Sequence, residues 1–327
     1  MNFVKGKKKL NTLNNLVTGG AGFLGSNLID HLIENDERVL CIDNLSTGNL
    51  VNLKHLENNV NFKFINQDIR DPILIEGQVD KIWHFACPPV PSIYQSEPLE
   101  TLDINYFGTL NLLKFAKKCN SKILLSSTSE IYGNTKVSPQ SEDMPIELLT
   151  NNPRACYGEG KRIAETLFFN FARQYNLNIR VARIFNTYGP RLKINDGRVI
   201  SNFINQSLSN KNLVVNGDGL QTRSFCFVDD MVEGLLKLME SDFKSPINLG
   251  NPSEISIIDL ANLIRGKINN KNRIVYKNCN NEEPLFRRPS IDLAEKVLNW
   301  TPKIPLNTGL NRTIQYFKQQ NSTKGMI

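Results

Sequence analysis

Short apolar runs alternate with longer amphipathic stretches through the first 185 residues of the chain. Asn15 to Thr18, Arg38 to Ile42, Phe62 to Ile65, Lys81 to Phe85, Lys122 to Ser126 and Ile179 to Ile184 read as buried strands, with helix-length segments between them. Alternation of this kind predicts an α/β fold in which a doubly wound parallel sheet is covered on both faces by helices. After Arg191 the rhythm changes. A helix is expected around Val199 to Leu208, a short strand at Leu213 to Val215, a helix at Val228 to Met239, a strand near Pro246 to Leu249, and helices from Ser256 and from Ile291. That part reads as a smaller mixed lobe. The expected organisation is therefore a first domain over residues 1–185 and a second lobe mainly over 186–327, the chain being free to cross between them. No repeat or low-complexity segment separates the two, so a shared cleft is expected.

Composition sharpens this picture in a few places. The chain has 327 residues, 40% hydrophobic and 22% charged, which excludes a disordered or collagen-like protein and is long enough for two cores. The net charge of +7 comes largely from Lys5, Lys7, Lys8 and Lys9, which read as a solvated tail. The basic residues form no stripe with interleaved aromatics, so nucleic acid is not an expected partner. No apolar run reaches about 18 residues and none follows the early charges, so neither a membrane span nor a secretory signal is expected, and the expected location is cytoplasmic. Six cysteines without a Cys-x-x-Cys pair and only three histidines argue for reduced thiols and against a metal site.

The candidate chemistry sits at strand ends. Val17-Thr18-Gly19-Gly20-Ala21-Gly22-Phe23-Leu24-Gly25 follows the first strand and opens the first helix. Glycines 19, 22 and 25 permit a tight turn, close approach of backbone to a pyrophosphate and close helix–strand packing, and the helix N-terminus offers free N–H groups to phosphates. This is the Rossmann-type dinucleotide-binding arrangement. Asp43 ends the second strand about 20 residues on, where a carboxylate can accept hydrogen bonds from ribose hydroxyls, which favours NAD over NADP. Asp68 and Ile69 follow the third strand, where they can bracket an adenine. Leu125-Ser126-Ser127-Thr128-Ser129-Glu130 brings hydroxyls and a carboxylate to the same sheet edge. Tyr157 and Lys161, four apart on the next helix, share a face, so that an ammonium can lower a phenol's pKa and let it act as a base. His84 reads as a hydrogen-bonded structural residue.

These residues resemble the extended short-chain dehydrogenase/reductase family of nucleotide-sugar enzymes and, more narrowly, its UDP-glucuronate decarboxylases. The resemblance covers nearly the whole chain. It is carried by His84-Phe85-Ala86-Cys87-Pro88, Ser127-Thr128-Ser129-Glu130-Ile131-Tyr132-Gly133, Arg154-Ala155-Cys156-Tyr157 with Gly160-Lys161-Arg162, Ala182 to Arg191, Asp196-Gly197-Arg198-Val199 and Gln221-Thr222-Arg223-Ser224-Phe225. It implies an NAD cofactor held by Gly19, Gly22, Phe23, Leu24, Gly25, Asp43, Asn44, Thr47, Gly48, Asp68, Ile69, Phe85, Ala86, Cys87, Tyr157, Lys161, Thr187 and Arg198. It implies a UDP-sugar lined by Asn186, Arg191, Asn202, Gly217, Gln221, Arg223 and Arg288, and catalysis by Tyr157, Lys161, Thr128, Ser129, Glu130 and Arg223. The implied reaction oxidises C4 of UDP-glucuronate, releases carbon dioxide from the resulting β-keto acid and reduces the ketone again to give UDP-xylose. A homodimer is implied as well, built by a four-helix bundle from the helices carrying Phe168, Phe169 and Phe171 and carrying Tyr106, Phe107, Leu110 and Leu113.

Three positions depart from the family pattern. Gly158 stands where Asp is usual, Asp103 where a Lys near the substrate is common, and Ser290 where Asp follows Arg-Arg-Pro. Two other readings remain open: a 4,6-dehydratase or 4-epimerase acting on another nucleotide sugar, and a catalytically silent NAD-binding sensor or scaffold.

Overall fold

The computed structural model describes residues 13–194, 197–268, 271–278 and 287–324. Asp196 of the Asp196-Gly197-Arg198-Val199 motif, Cys279 and the lysines at 5, 7, 8 and 9 lie outside the described residues. The first half runs β1 (Leu13–Thr18), α1 (Phe23–Glu34), β2 (Val39–Asp43), β3 (Phe62–Asn66), β4 (Val79–His84), α2 (Pro91–Ser96), α3 (Pro98–Asp103), α4 (Thr109–Cys119), β5 (Lys122–Thr128), α5 (Ala155–Tyr175) and β6 (Ile179–Ile184). A π-turn at Ile104–Gly108 joins α3 to α4. The second half continues with β7 (Thr187–Tyr188), α6 (Val199–Leu208), β8 (Leu213–Asn216), β9 (Thr222–Ser224), β10 (Cys226–Phe227), α7 (Val228–Glu240), β11 (Pro246–Leu249), β12 (Glu254–Ser256), α8 (Ile257–Ile268), β13 (Ile274–Lys277), α9 (Asp292–Leu298) and α10 (Leu306–Lys324).

Seven of these strands form one sheet in the order β11-β6-β5-β4-β1-β2-β3, every pair parallel. Chain order reverses between β1 and β4, which opens a crevice at their C-terminal ends. The strands read as continuous apolar runs because both faces are covered. Val17, Cys41, Trp83, Leu124 and Ala182 point to one face, where α1 and α7 pack. Leu16, Leu40, Ile82, Ile123, Leu125 and Val181 point to the other, under α4 and α5. The period of two along each strand thus divides one apolar run between two cores.

Each strand expected from the sequence is present, with boundaries displaced by up to two residues. β4 covers Val79–His84 instead of Lys81 to Phe85, so Phe85 begins the following loop, and β5 extends two residues past Ser126. After the segments of the second lobe the chain returns through α7 to place β11 beside β6. The second lobe adds the two-stranded pairs β7–β10, β9–β12 and β8–β13.

Candidate active site

All the strand ends named above converge on one cleft of about 700 Å³ between the sheet's C-terminal edge and the second lobe. Gly19, Gly22, Phe23, Leu24 and Gly25 form its floor. Gly19 has φ +71°, and a Cβ there would lie 2.7 Å from the Ala86 amide nitrogen; a Cβ on Gly25 would lie 2.5 Å from the Gly19 carbonyl oxygen. Side chains are excluded from both positions by backbone, which leaves a cradle at the α1 N-terminus. No side chain caps that helix, so its first N–H groups are directed at whatever anion enters.

Asp43 stands beside the cradle. Its Oδ2 accepts from the Ala21 N–H at 3.0 Å and its Oδ1 from the Leu45 N–H at 2.8 Å, while burial pushes its carboxyl up despite those bonds. Asp68 is clamped by Arg70 at 2.8 and 3.0 Å and accepts from Asn44 at 2.8 Å. The Arg70 hydrogen bond is the main reason its carboxyl is lowered to about 2, against opposition from burial. Ile69, Thr47, Gly48, Phe85, Ala86, Cys87, Thr187 and Arg198 complete this half of the cleft, the Arg198 guanidinium lying 5.8 Å from the Phe23 ring centre. The glycine cradle, uncapped helix end and strand-end carboxylate fit the pyrophosphate and ribose of a dinucleotide.

α5 carries Tyr157 and Lys161 into the other half, both buried. Tyr157 lies close enough to Thr128 for its hydroxyl to act on the phenol, stacks on Tyr94 with ring centres 5.0 Å apart and planes within 6°, and has the Lys161 Nζ 6.0 Å from its ring centre. The expectation that the ammonium lowers the phenol's pKa is not met by these surroundings. Burial pushes Tyr157 up, as does nearby Cys87, against the opposing pull of the Thr128 hydroxyl, and burial also lowers Lys161. Tyr157 therefore rests as a neutral phenol. His84 is the structural residue expected, buried between the Thr18 and Thr109 hydroxyls at 3.1 and 3.0 Å, with burial holding its pKa at about 3.

Glu130, 28% exposed, faces two arginines, each 3.3 Å from one of its oxygens: Arg154 on Oε1 and Arg287 on Oε2. Burial opposes its ionisation, but Arg287 and Arg154, with Arg223 further off, hold its carboxyl below the usual range. Arg287 also donates to the Ser129 carbonyl at 2.5 Å. The buried Tyr94 hydroxyl in the cleft wall has no hydrogen-bond partner among the described residues.

Of the expected sugar-nucleotide residues, Asn186, Arg191, Asn202, Gln221 and Arg223 line the cleft. Arg191 donates to the Ser26 carbonyl at 2.9 Å and to Asp30 at 2.5 Å, tying the second lobe to α1. Gly217 lies one residue beyond the lining residue Asn216. Arg288 is not brought to the cleft. It points outward, 3.6 Å from Glu254, whereas its neighbour Arg287 points in. In an extended segment successive side chains take opposite sides, so a doubled arginine places only one in the site. Arg154 and Tyr94 were not singled out by sequence reasoning, although Arg154 stands inside the Arg-Ala-Cys-Tyr motif.

The departures have local explanations. A Cβ at Gly158 would meet Leu148 at 3.1 Å and the Glu130 carbonyl at 3.3 Å, so Leu148 fills the space a side chain would need. Asp103 is exposed at the end of α3 and does not line the cleft. Ser290 donates to Asp292 at 2.9 Å. Among the described residues no helix is long and apolar enough to cross a membrane, and no group of three or more metal-ligating side chains occurs.

Known proteins share this arrangement. The sequence profile of the GDP-mannose 4,6 dehydratase family matches residues 16–313. UDP-glucuronic acid decarboxylase 1 of Danio rerio is 46% identical over 305 residues, 93% of this chain and 72% of that protein. UDP-glucuronic acid decarboxylase 5 of Arabidopsis thaliana is 47% identical over 296 residues, 90% of this chain and 86% of that protein. The solved UDP-glucuronic acid 4-epimerase of Bacillus cereus, in complex with UDP-glucuronic acid and NAD, superimposes with a TM-score of 0.85 at 28% identity, covering 94% of this chain and 99% of that one. With the reversal of strand order, the glycine cradle and the Tyr157–Lys161 pair on one helix face, these matches identify the chain as a member of the extended short-chain dehydrogenase/reductase family, in the branch that the GDP-mannose 4,6 dehydratase profile describes.

Proposed function

We propose that the protein is an NAD-dependent UDP-glucuronate decarboxylase that forms UDP-xylose and carbon dioxide. The observation that carries this reading is the arginine-rich end of the cleft, where Arg154 and Arg287 hold Glu130 and Arg223 lines the same wall as Tyr157. Guanidiniums suit the carboxylate of an acidic sugar, because their fork can bind two oxygens at once. The relatives bearing the decarboxylase name, at 46 and 47% identity, support it.

In this reading Tyr157, with Thr128 and Lys161 beside it, removes the proton of the sugar's C4 hydroxyl. When bound, NAD supplies a hydride acceptor for C4, later its donor, and the positive charge that favours the Tyr157 phenolate. Oxidation makes C4 a ketone placed β to the C6 carboxylate, so the C5–C6 bond breaks with its electron pair passing into the ketone and carbon dioxide leaving. Glu130 and Ser129 hold the ring. Arg223, or a water it orients, returns a proton to C5, and Tyr157 returns one to the C4 oxygen. Residues 1–185 carry the dinucleotide and the segments after 186 hold the UDP portion through Asn186, Arg191, Asn202 and Gln221, with α7 and β11 crossing back. The buried Tyr94 hydroxyl adds a donor for the sugar.

Phe168 and Leu113 are buried in the core, while Tyr106 and Phe107 in the turn before α4, 37 and 51% exposed, and Ile163 on α5 remain as exposed apolar side chains for a homodimer. Free thiols at Cys41, Cys87, Cys119, Cys156 and Cys226 agree with a reducing, cytoplasmic setting.

Incubation with NAD and UDP-glucuronate, followed by mass spectrometry, tests the reading. The expected product is lighter by carbon dioxide and absent with Tyr157→Phe. A product of unchanged mass means a 4-epimerase, loss of water means a dehydratase, and no turnover of any nucleotide sugar despite NAD binding means a sensor.

A further inference from the structure

The buried face of α5 continues past the Tyr157–Lys161 pair. Residues 157, 161 and 165 follow at intervals of four, so one stripe carries a phenol, an ammonium and a carboxylate, all withdrawn from solvent. Glu165 touches neither cleft nor surface; it is absent from the cleft lining and its side chain is 8% exposed. It is nonetheless held by three hydrogen bonds from two side chains. Ser127, one residue before Thr128 on β5, donates to Oε1 at 2.5 Å; Arg183 on β6 donates through Nε to Oε1 at 3.2 Å and through Nη2 to Oε2 at 3.0 Å. Arg183 in turn donates to the Tyr132 hydroxyl at 3.1 Å and to the Glu142 carbonyl at 3.0 Å, and Tyr132 donates to Asn248 on β11 at 2.7 Å. One carboxylate therefore registers the catalytic helix on three adjacent strands.

We propose that Glu165 is a positioning residue for the Tyr157–Lys161 pair: clamped by Ser127 and Arg183, it fixes the rotation of α5 over the sheet and keeps a negative charge one turn behind the Lys161 ammonium. A buried ion pair is weak evidence for stability alone, because desolvation of both partners offsets their attraction. Its worth here is geometric. Rotation of α5 displaces Tyr157 from Thr128, and displacement of about 1 Å in such a site costs up to roughly 100-fold in rate. The electrostatic part acts on Lys161, which burial disfavours as a cation. The groups facing it are His84 from β4, Cys87 from the loop after β4, and Tyr157 and Glu165 on α5 itself; Glu165 and Cys87 are the ones that support its charge. Arg183, from β6, is the cation facing Glu165.

The inference rests on the acid–base role proposed for Tyr157, and the experiment separates the two. Turnover of UDP-glucuronate is measured against pH for the wild type, Tyr157→Phe, Glu165→Gln, Glu165→Asp and the double variant Glu165→Gln with Arg183→Met. The double variant removes both buried charges, so no unpaired cation prevents folding. Without the Glu165 charge, Lys161 loses its proton more readily and the alkaline limb moves down, while the acid limb, at pH values where Lys161 still carries its proton, stays in place. The kcat bell should narrow from its alkaline side, by about one pH unit, in both Gln-containing variants. At neutral pH kcat should fall tenfold or more while KM stays within about twofold. Glu165→Asp, which keeps the charge, should retain the wild-type limbs at reduced kcat. If both Gln-containing variants lose thermal stability but keep the wild-type limbs, Glu165 is packing only and the proposal is overturned while the role of Tyr157 stands. Wild-type turnover in Tyr157→Phe overturns both.

Discussion

Replacing Arg287 with Met tests the charge arrangement at the sugar end of the cleft. The side chain is 5% exposed, donates to the Ser129 carbonyl at 2.5 Å and lies 3.3 Å from Glu130 Oε2. Loss of one buried charge-assisted hydrogen bond costs about 1.5–3 kcal/mol. Removing the Arg287 guanidinium also raises the Glu130 carboxyl, because it takes away the largest of the charges that oppose burial. Glu130 is held below its usual range in the folded wild type, so its contribution to stability is fully present above the unfolded value of about 4.3 and is lost as pH falls through the lower folded value. In Arg287→Met that contribution shrinks or changes sign, because burial still opposes ionisation. Thermal unfolding followed from about pH 7 downward should show the variant less stable at neutral pH, and the deficit should narrow as the pH falls through the lowered wild-type Glu130 value, below which the carboxyl is protonated in both proteins. A deficit that stays constant across that range refutes the coupling and reduces Arg287 to a packing residue.

The cradle and the exposed family departure offer two further checks. Gly25→Ala places a methyl group 2.5 Å from the Gly19 carbonyl oxygen and 2.7 Å from the Gly20 Cα, both backbone; overpacking of this kind costs about 1–3 kcal/mol. The variant should unfold at lower temperature and lose NAD binding in calorimetric titration, and wild-type affinity would disprove the close approach. Asp103→Lys restores the residue common in relatives at an exposed position outside the cleft. It should leave kcat/KM for UDP-glucuronate within about twofold, as surface substitutions away from a site do; a tenfold gain would bring residue 103 to the substrate and contradict its placement.

Much of the fold and half of the site were legible in the residues because they are locally encoded. Strand ends, glycine spacing and an i, i+4 pair depend on neighbours a few positions apart, and the structure brings all the expected cofactor residues to one cleft. The last helix was within reach too, since Leu310, Ile314 and Phe317 recur at helical spacing on its buried face, but the polar residues around them, with Gly309, obscured the stripe. The pairs β7–β10, β9–β12 and β8–β13 gave no comparable signal. Strands of two to four residues carry too little pattern to stand out, and their pairing is decided by packing.

The amino-acid sequence by itself determined the doubly wound sheet, the phosphate cradle, Asp43 at its strand end and Tyr157 and Lys161 on one helix face, because period and spacing impose those placements on any chain that folds this way. Only the tertiary structure decided which of two adjacent arginines enters the cleft, that Asp103 faces solvent, that Arg154 and Arg287 grip Glu130 from segments 24 and 157 residues away along the chain, and that Glu165 docks α5 onto the sheet. Protonation belongs to the same class. Whether Tyr157 rests as phenol or phenolate depends on its burial and on the charges around it, and both arise only when distant segments are packed together.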